Sequence, residues 1–125
     1  MLIGVPKEIK NHEYRVGLTP TSVREAVHHG HGAVVESNAG AAIGLLDEDY
    51  TAAGAEVVGS AAEVFERADM IVKVKEPQPE EIAMLREGQV LFTYLHLAPD
   101  PDQTKGLLAS GVTAIAYETV TDNFG

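Results

Sequence analysis

Short apolar runs alternate with segments of helical periodicity along the whole chain. The first run, Leu2–Val5, is stopped by Pro6, and Val23, Ala26 and Val27 then follow at the i, i+3, i+4 spacing of a helix. The apolar runs predict strands over residues 2–5, 33–36, 56–58, 69–74, 89–95 and 112–117. The periodic segments predict helices that open at Thr19-Pro20, Asp47, Ser60, Pro79 and Asp100 and end near Gly30, Ala53, Ala68, Leu85 and Leu108.

Strands that are joined by single helices are typical of βαβ units, in which the strands run parallel and helices cover the sheet. The runs Met70–Val72 and Thr113–Ala116 are almost continuously apolar, as expected of strands that are covered on both faces. We therefore predict an α/β fold of three layers, with a mostly parallel, Rossmann-like or flavodoxin-like sheet between two layers of helices.

Length and charge limit the classes of function. The 125 residues suffice for one domain and are few for two, and 9 Lys and Arg against 19 Asp and Glu give a formal net charge of −10. This balance disfavours nucleic acid and anionic membranes as partners, because both require a basic surface. No apolar stretch approaches the ~18 residues of a membrane span, and no signal peptide is recognisable. Cysteine is absent, so we expect a cytoplasmic protein without disulfides or thiolate chemistry.

Ionisable side chains of complementary types follow several of the predicted strands. Glu13 and Arg15 lie in the polar loop after the first strand, while Lys75 follows the fourth, His96 the fifth and Glu118 the sixth. Parallel sheets bind ligands at the carboxyl ends of their strands, so these residues should share one edge. Arg15 and Lys75 suit an anion, and His96 exchanges protons near neutral pH, which predicts acid–base chemistry on a small anionic substrate. The alternative is that both cations are ordinary surface residues and that His96 only hydrogen-bonds its loop.

Two other groups of residues favour structural roles. Lys73 lies inside the strand predicted at 69–74, where a buried ammonium group needs either a carboxylate partner or a place at the sheet edge. His28, His29 and His31 lie at the end of the first predicted helix, where histidine meets the negative end of the helix dipole. A metal site there lacks further visible ligands, so we predict none.

The sequence carries no recognisable site for a dinucleotide cofactor. Gly30-His31-Gly32 begins the required spacing, but Val35 stands where the third glycine is needed. The segment also precedes a strand, whereas a phosphate-binding turn follows one and opens a helix. P-loop, nucleophile-elbow and zinc-protease motifs are absent as well.

Several motifs occur in order along nearly the whole chain. They are 3–8 (IGVPKE), 11–16 (NHEYRV), Thr19-Pro20, 73–77 (KVKEP), 92–98 (FTYLHLA) and 116–120 (AYETV). Together they resemble the amino-terminal signature of the alanine dehydrogenase family, which includes the α subunit of pyridine-nucleotide transhydrogenase. Two departures, His12 where asparagine is usual and Gly17 where alanine is usual, put little of this resemblance in doubt.

The resemblance implies a reaction and roles for three residues. The alanine dehydrogenases of this family transfer a hydride from L-alanine to NAD and release pyruvate and ammonia. Arg15 and Lys75 would bind the carboxylate and carbonyl of pyruvate, and His96 would be the catalytic acid–base residue. NAD and a catalytic aspartate would belong to parts that this chain lacks, together with a returning carboxy-terminal segment. We therefore expect an inactive fragment of a homo-oligomer, a hexamer or a dimer, in agreement with a chain that stops at Gly125 soon after its last predicted strand.

Two other functions stay open, a non-catalytic binding or assembly module and a transhydrogenase-type subunit. His96 bears on the second, because transhydrogenases are similar in this motif but carry tryptophan there. The Tyr117-Glu118 pair likewise resembles the dehydrogenase branch of the family.

Overall fold

The computed structural model describes all residues, 1–125, and contains six strands and five helices. The strands are β1 (Leu2–Val5), β2 (Gly32–Glu36), β3 (Glu56–Val58), β4 (Met70–Val72), β5 (Val90–Thr93) and β6 (Thr113–Ala116). The helices are α1 (Pro20–His28), α2 (Asp47–Ala52), α3 (Ala61–Arg67), α4 (Pro79–Ile82) and α5 (Pro101–Ser110), and short 3-10 turns lie at Ala41–Ile43 and Tyr117–Thr119.

All six strands form one parallel sheet in the order β3-β2-β1-β4-β5-β6. Residues in β2 alternate between its two faces. Val35 belongs to an apolar core with Val23 of α1 and Tyr50 of α2, whereas Val34 belongs to a second core with Phe65 of α3. The predicted three-layer α/β fold is confirmed, and the sheet is parallel throughout.

Polar caps determine where three of the helices begin. Thr19, Ser60 and Asp100 each accept a hydrogen bond on a side-chain oxygen from the backbone N–H three residues further on. Proline occupies the first position of α1, α4 and α5, where its missing N–H removes no intrahelical bond. These residues are the signals from which the sequence predicts the helix starts. None of the helices has the length and apolar character that crossing a bilayer requires.

Several elements end earlier than the sequence pattern predicts. β4 ends at Val72 rather than at residue 74, β5 at Thr93 rather than at 95, and α4 at Ile82 rather than at 85. Lys73 therefore lies just beyond β4, which corrects its placement within the strand. A position at the sheet edge is also excluded, because β4 pairs with both β1 and β5. The carboxylate alternative is confirmed, since its ammonium group is buried against two glutamates.

Two glycines allow close approaches that a side chain would prevent. A Cβ atom at Gly4 would lie 2.6 Å from the Cβ of Ala68, so glycine lets α3 pack closely on β1. A Cβ atom at Gly17 would lie 2.4 Å from the carbonyl oxygen of Val72. This second approach brings the loop that follows β1, and Arg15 with it, against the end of β4.

Candidate functional site

The candidate site lies at the carboxyl ends of β1 and β4, where the order of the strands reverses. β1 leads to α1 on one face of the sheet, and β4 leads to α4 on the other, so the loops that follow them diverge. The crevice between such loops is where open parallel sheets bind ligands. Arg15 lies in the first of these loops and Lys75 in the second.

Arg15 and Lys75 line one small cavity at this crevice. The cavity has a volume of about 230 Å³, and its walls are Arg15, Val74, Lys75, Tyr94 and Tyr117. The structure thus brings together the two cations that the sequence singled out. Two positive charges around so small a space suit a small anion, and a carboxylate in particular.

Arg15 is held by Glu13 along one edge of its guanidinium group. Nε and Nη2 donate to the two carboxylate oxygens of Glu13 at 2.9 and 2.7 Å, and the backbone N–H of Arg15 donates to the same carboxylate at 3.0 Å. These bonds from Arg15 lower the pKa of Glu13 to about 2 and raise the pKa of the guanidinium group. The side chain of Glu13 is 6% exposed and that of Arg15 is 64% exposed, so the opposite edge of the guanidinium group is open to a ligand.

His96 lies beside the cavity and is joined to it by Tyr94. The two rings stack at 14° with centroids 5.5 Å apart, and the Tyr94 hydroxyl forms a 3.0 Å hydrogen bond with Nδ1 of His96. Tyr94 also has a cation–π contact with Lys75, whose Nζ lies 5.0 Å from the centroid of the Tyr94 ring. Tyr94 therefore contacts both Lys75 and His96, and the bond at Nδ1 leaves Nε2 of His96 for proton exchange with a ligand.

Glu118 fixes the backbone that carries His96. Its carboxylate accepts the N–H of His96 at 2.8 Å and that of Leu95 at 3.1 Å. Burial opposes the ionisation of Glu118, but the N–H groups of His96, of Glu118 itself and of Leu95 outweigh it and lower the pKa of the carboxyl. His96 has φ of 47°, a left-handed conformation that costs a non-glycine residue about 1 kcal/mol or more. The Glu118 bonds help to hold it there.

Three residues of the site were not predicted from the sequence as site residues. Tyr94 and Tyr117 line the cavity, and the hydroxyl of Tyr117 donates to the carbonyl oxygen of Val74 at 2.6 Å. Glu8 lies behind the cavity and accepts hydrogen bonds from the backbone of Val74 and Lys75. The spacing of Tyr94 and His96, two residues apart at a strand end, was the available signal for a shared environment.

A larger cavity, of about 420 Å³, lies between α4 and α5. Its walls include Glu76, Asp100 and Asp102, and it contains no basic residue. These carboxylates would repel the anion that Arg15 and Lys75 attract, so this cavity does not serve the same ligand.

The histidines near the end of α1 have separate contacts. His29 Nε2 lies 3.1 Å from a carboxylate oxygen of Glu25, and Nδ1 of His31 lies 3.4 Å from the amino group of Met1. The structure contains no group of three or more histidine, cysteine or acidic residues arranged for a metal ion.

The loop between β1 and α1 does not fit the pyrophosphate of a dinucleotide. Its only glycine is Gly17, and the space that a phosphate would need beside it is filled by the carbonyl of Val72. The loop is instead occupied by polar residues such as Glu13 and Arg15, which bind each other. The residues present therefore do not form a glycine-rich turn at a helix start.

Comparison with known proteins identifies the relatives of this chain. The family model for the "Alanine dehydrogenase/PNT, N-terminal domain" matches residues 4–125. An alanine dehydrogenase of Halomonas elongata is 57% identical over 121 residues, which are 97% of this chain and 33% of that protein. A solved L-alanine dehydrogenase superimposes with a TM-score of 0.95 at 53% identity, over 99% of this chain and 34% of that one.

A second solved structure, a transhydrogenase from Sinorhizobium meliloti, superimposes with a TM-score of 0.88 at 31% identity, over 97% of this chain and 37% of that one. The chain thus spans about a third of the length of the relatives that it matches. Its motifs, its sheet order and the family match over nearly all of its residues agree, and the chain belongs to the alanine dehydrogenase/PNT N-terminal domain family.

Proposed function

We propose that this chain is the substrate-binding part of an enzyme that oxidatively deaminates L-alanine with NAD and releases pyruvate and ammonia in a reversible reaction. The observation that carries the proposal is the cavity in which Arg15 and Lys75 meet, with His96 one hydrogen bond away through Tyr94. Alanine and pyruvate are small carboxylates, so they match both the charge and the size of this cavity.

Each cation has a separate task in this proposal. Arg15 binds the substrate carboxylate with the guanidinium edge that Glu13 leaves open, because a planar fork matches two carboxylate oxygens. Lys75 binds the carbonyl oxygen of pyruvate, since a single ammonium charge stabilises an oxygen on which negative charge develops. The contact of Lys75 with the Tyr94 ring aims the ammonium group at the same cavity.

His96 moves the protons of the reaction. Loss of ammonia and addition of water both require a group that accepts a proton and returns it near neutral pH, and imidazole is the side chain suited to this. Tyr94 orients the ring through Nδ1 and leaves Nε2 for the proton transfer. Glu118 fixes the peptide from which the ring projects.

We assign NAD to a part of the enzyme outside residues 1–125. The loop between β1 and α1 does not fit the nucleotide, and the chain spans only a third of its relatives. On this proposal the chain alone is inactive, the complete enzyme is a cytoplasmic homo-oligomer, and no step of the reaction is completed without the nucleotide-binding part.

A transhydrogenase-type subunit is the second candidate. It is favoured by the 31% identity and the TM-score of 0.88 with the transhydrogenase from Sinorhizobium meliloti. The site argues for the first candidate, because exchange of hydride between two nucleotides needs neither a carboxylate cavity nor an acid–base histidine. A non-catalytic binding module is the third candidate. Turnover by an enzyme that contains this chain would exclude it.

The test is a hybrid enzyme in which this chain replaces the matching third of the Halomonas elongata alanine dehydrogenase, with that enzyme as the positive control. We expect NADH to form only when L-alanine is present. His96→Ala should lower kcat by a factor of about 10² to 10⁴, as loss of a general acid–base group does. Arg15→Ala should mainly raise KM for L-alanine. A folded hybrid that exchanges hydride between nucleotides without L-alanine would replace this proposal by the transhydrogenase one.

A direct binding experiment uses the chain alone. Calorimetry should detect weak binding of pyruvate, and Lys75→Met should reduce it further because one of the two positive charges is lost. Lys105→Met is the matched control, since Lys105 is exposed on α5 and lies outside the cavity. Equal affinity for pyruvate in the Lys75 and Lys105 variants would show that Lys75 does not bind the substrate.

A further inference from the structure

We infer that Glu8 is a positioning residue for Lys75, and that Lys73 holds Glu8 in place for this role. The inference rests on the proposed function, because it takes Lys75 as a substrate-binding residue. Its basis is a buried cluster of three charged side chains behind the cavity, none of which the proposed reaction uses. We call Glu8, Lys73 and Glu81 the buried charge cluster.

Glu8 supplies the hydrogen-bond acceptors that the sheet no longer provides beyond β4. Its Oε2 accepts from the N–H of Val74 at 3.2 Å, and its Oε1 accepts from the N–H of Lys75 at 3.0 Å. In a longer parallel strand successive N–H groups would bond alternately to carbonyls of β1 and β5, but β1 ends at Val5 and β5 at Thr93. One carboxylate therefore fixes the two peptide groups next to the Lys75 side chain.

Side chains from the neighbouring segments hold the carbonyl groups of the same two residues. The hydroxyl of Tyr117 donates to the carbonyl of Val74 at 2.6 Å, and the hydroxyl of Thr93 donates to that of Lys75 at 2.8 Å. All backbone polar groups of Val74 and Lys75 are thus bonded to side chains rather than to another strand. Glu8 makes two of these four bonds, so it has the largest share in fixing this segment.

Lys73 explains how Glu8 stays in this buried position. Nζ of Lys73 lies 3.1 Å from Oε1 of Glu8 and 2.9 Å from Oε2 of Glu81, and the three side chains are only 1–2% exposed. Burial raises the pKa of the Glu81 carboxyl, and the charge of Lys73 opposes this shift. The ammonium group therefore neutralises Glu8 and donates to Oε1, the same oxygen that accepts the N–H of Lys75.

Stability alone does not account for the buried charge cluster. Apolar residues of similar volume commonly stabilise a fold as well as a buried ion pair does, because desolvation consumes most of the attraction between the charges. An apolar side chain at position 8 could not accept the N–H groups of Val74 and Lys75. The bonds to the Lys75 segment are thus the property that requires a carboxylate here.

Hydrogen exchange in the 125-residue chain tests the positioning directly. In Glu8→Gln an amide N–H₂ replaces one carboxylate oxygen, so at least one of the amides of Val74 and Lys75 loses its acceptor. We expect its exchange to become about tenfold faster, as the loss of one buried hydrogen bond implies, with the core amide of Leu91 unchanged. Glu81→Gln is the matched control, because it alters the same cluster without touching these two amides. Unchanged protection of Val74 and Lys75 in Glu8→Gln overturns the inference.

Glu8→Asp provides a second variant should Glu8→Gln fail to fold. It retains the negative charge beside Lys73 but withdraws the carboxylate by one methylene group from the Val74 and Lys75 amides. The same local loss of protection is expected, with the rest of the sheet unchanged. Full protection in this variant would overturn the inference equally.

Kinetics of the hybrid enzyme test the consequence for the substrate. Glu8→Gln should raise KM for pyruvate about tenfold with kcat nearly unchanged, because Lys75 is displaced while His96 is not. A merely structural role would lower the amount of folded enzyme and leave KM as it was. Glu81→Gln should change neither constant. A folded hybrid that turns over neither alanine nor pyruvate refutes the proposed function. The hydrogen-exchange experiment decides independently whether Glu8 positions Lys75.

Discussion

Gly4→Ala tests the close packing of α3 on β1. The new Cβ atom would lie 2.6 Å from the Cβ of Ala68 and 2.8 Å from Cγ1 of Val64, whereas carbon atoms in contact are normally about 3.5–4.0 Å apart. Ala68 and Val64 are both 0% exposed, and the Cβ of Ala68 cannot rotate away. Helix α3 must therefore move away from the sheet, or the strand must bend.

The magnitude follows from two opposing effects. Overpacking a filled core costs about 1–3 kcal/mol, while replacing glycine by alanine stabilises by about 0.4–1 kcal/mol through the unfolded chain. The steric cost should be larger, since the nearest atom is fixed to the backbone of α3. We expect Gly4→Ala to lose about 1–2 kcal/mol in urea unfolding, which is roughly 4–8 °C in Tm for a chain of this length.

Two further variants make this experiment decisive. Gly59→Ala is the matched control, because no atom lies within 4 Å of a Cβ at Gly59, and it should be neutral or slightly stabilising. Ala68→Gly removes the nearest obstacle, so Gly4→Ala should cost less in that background, by at least about 0.5 kcal/mol. A Gly4→Ala chain as stable as Gly59→Ala would contradict a close contact between α3 and β1.

Three further predictions concern buried or paired polar groups. Tyr50→Phe should lower the free energy of unfolding in urea by about 1–2 kcal/mol, because the hydroxyl of the fully buried Tyr50 donates to the carbonyl of Leu18 at 2.7 Å. A loss no larger than that of a tyrosine-to-phenylalanine substitution at an exposed position would contradict this. Lys73→Met should lower the free energy of unfolding by about 3–5 kcal/mol, since it leaves two buried carboxylates without their ammonium partner. Stability equal to that of the wild type would show that the ammonium group of Lys73 is not needed to stabilise them. Glu13→Gln tests a pH dependence: the folded pKa of about 2 lies below the ordinary 4.5, so the charge of Glu13 stabilises the fold above pH 4.5 and this contribution disappears as pH falls towards about 2. The difference in unfolding free energy between wild type and Glu13→Gln should therefore shrink over that range, and a constant difference would show that the Arg15 pair does not stabilise the fold.

The sequence predicted the order of the elements well because the chain alternates regularly and caps its helices with Thr19, Ser60 and Asp100. It predicted β4 and β5 to be longer than they are, since the apolar runs continue where the strand pairing stops. What stops β4 is not visible in the run itself. The carboxylate of Glu8 takes over the N–H groups of Val74 and Lys75, and this residue is distant in sequence.

The candidate site was predictable to the extent that it follows strand ends. Arg15 and Lys75 were found by that rule, and the structure places them in one cavity. Tyr94 was missed, because its contacts with Lys75 and His96 depend on the conformation after β5 rather than on residue type. The requirement that a buried Lys73 must find a carboxylate was correct, but the sequence offers 19 acidic residues and does not say which of them it is.

The bonds that tie side chains to the loops of the site have a consequence for ligand binding. Glu8 and Glu118 each fix two successive backbone N–H groups, beside Lys75 and at His96 respectively, and Glu13 immobilises the guanidinium group of Arg15. A ligand that enters such a preorganised cavity loses little free energy to the ordering of these side chains. Weak affinity of the isolated chain would then reflect missing contacts rather than a loose site, and any motion that encloses the substrate would have to come from outside these three loops.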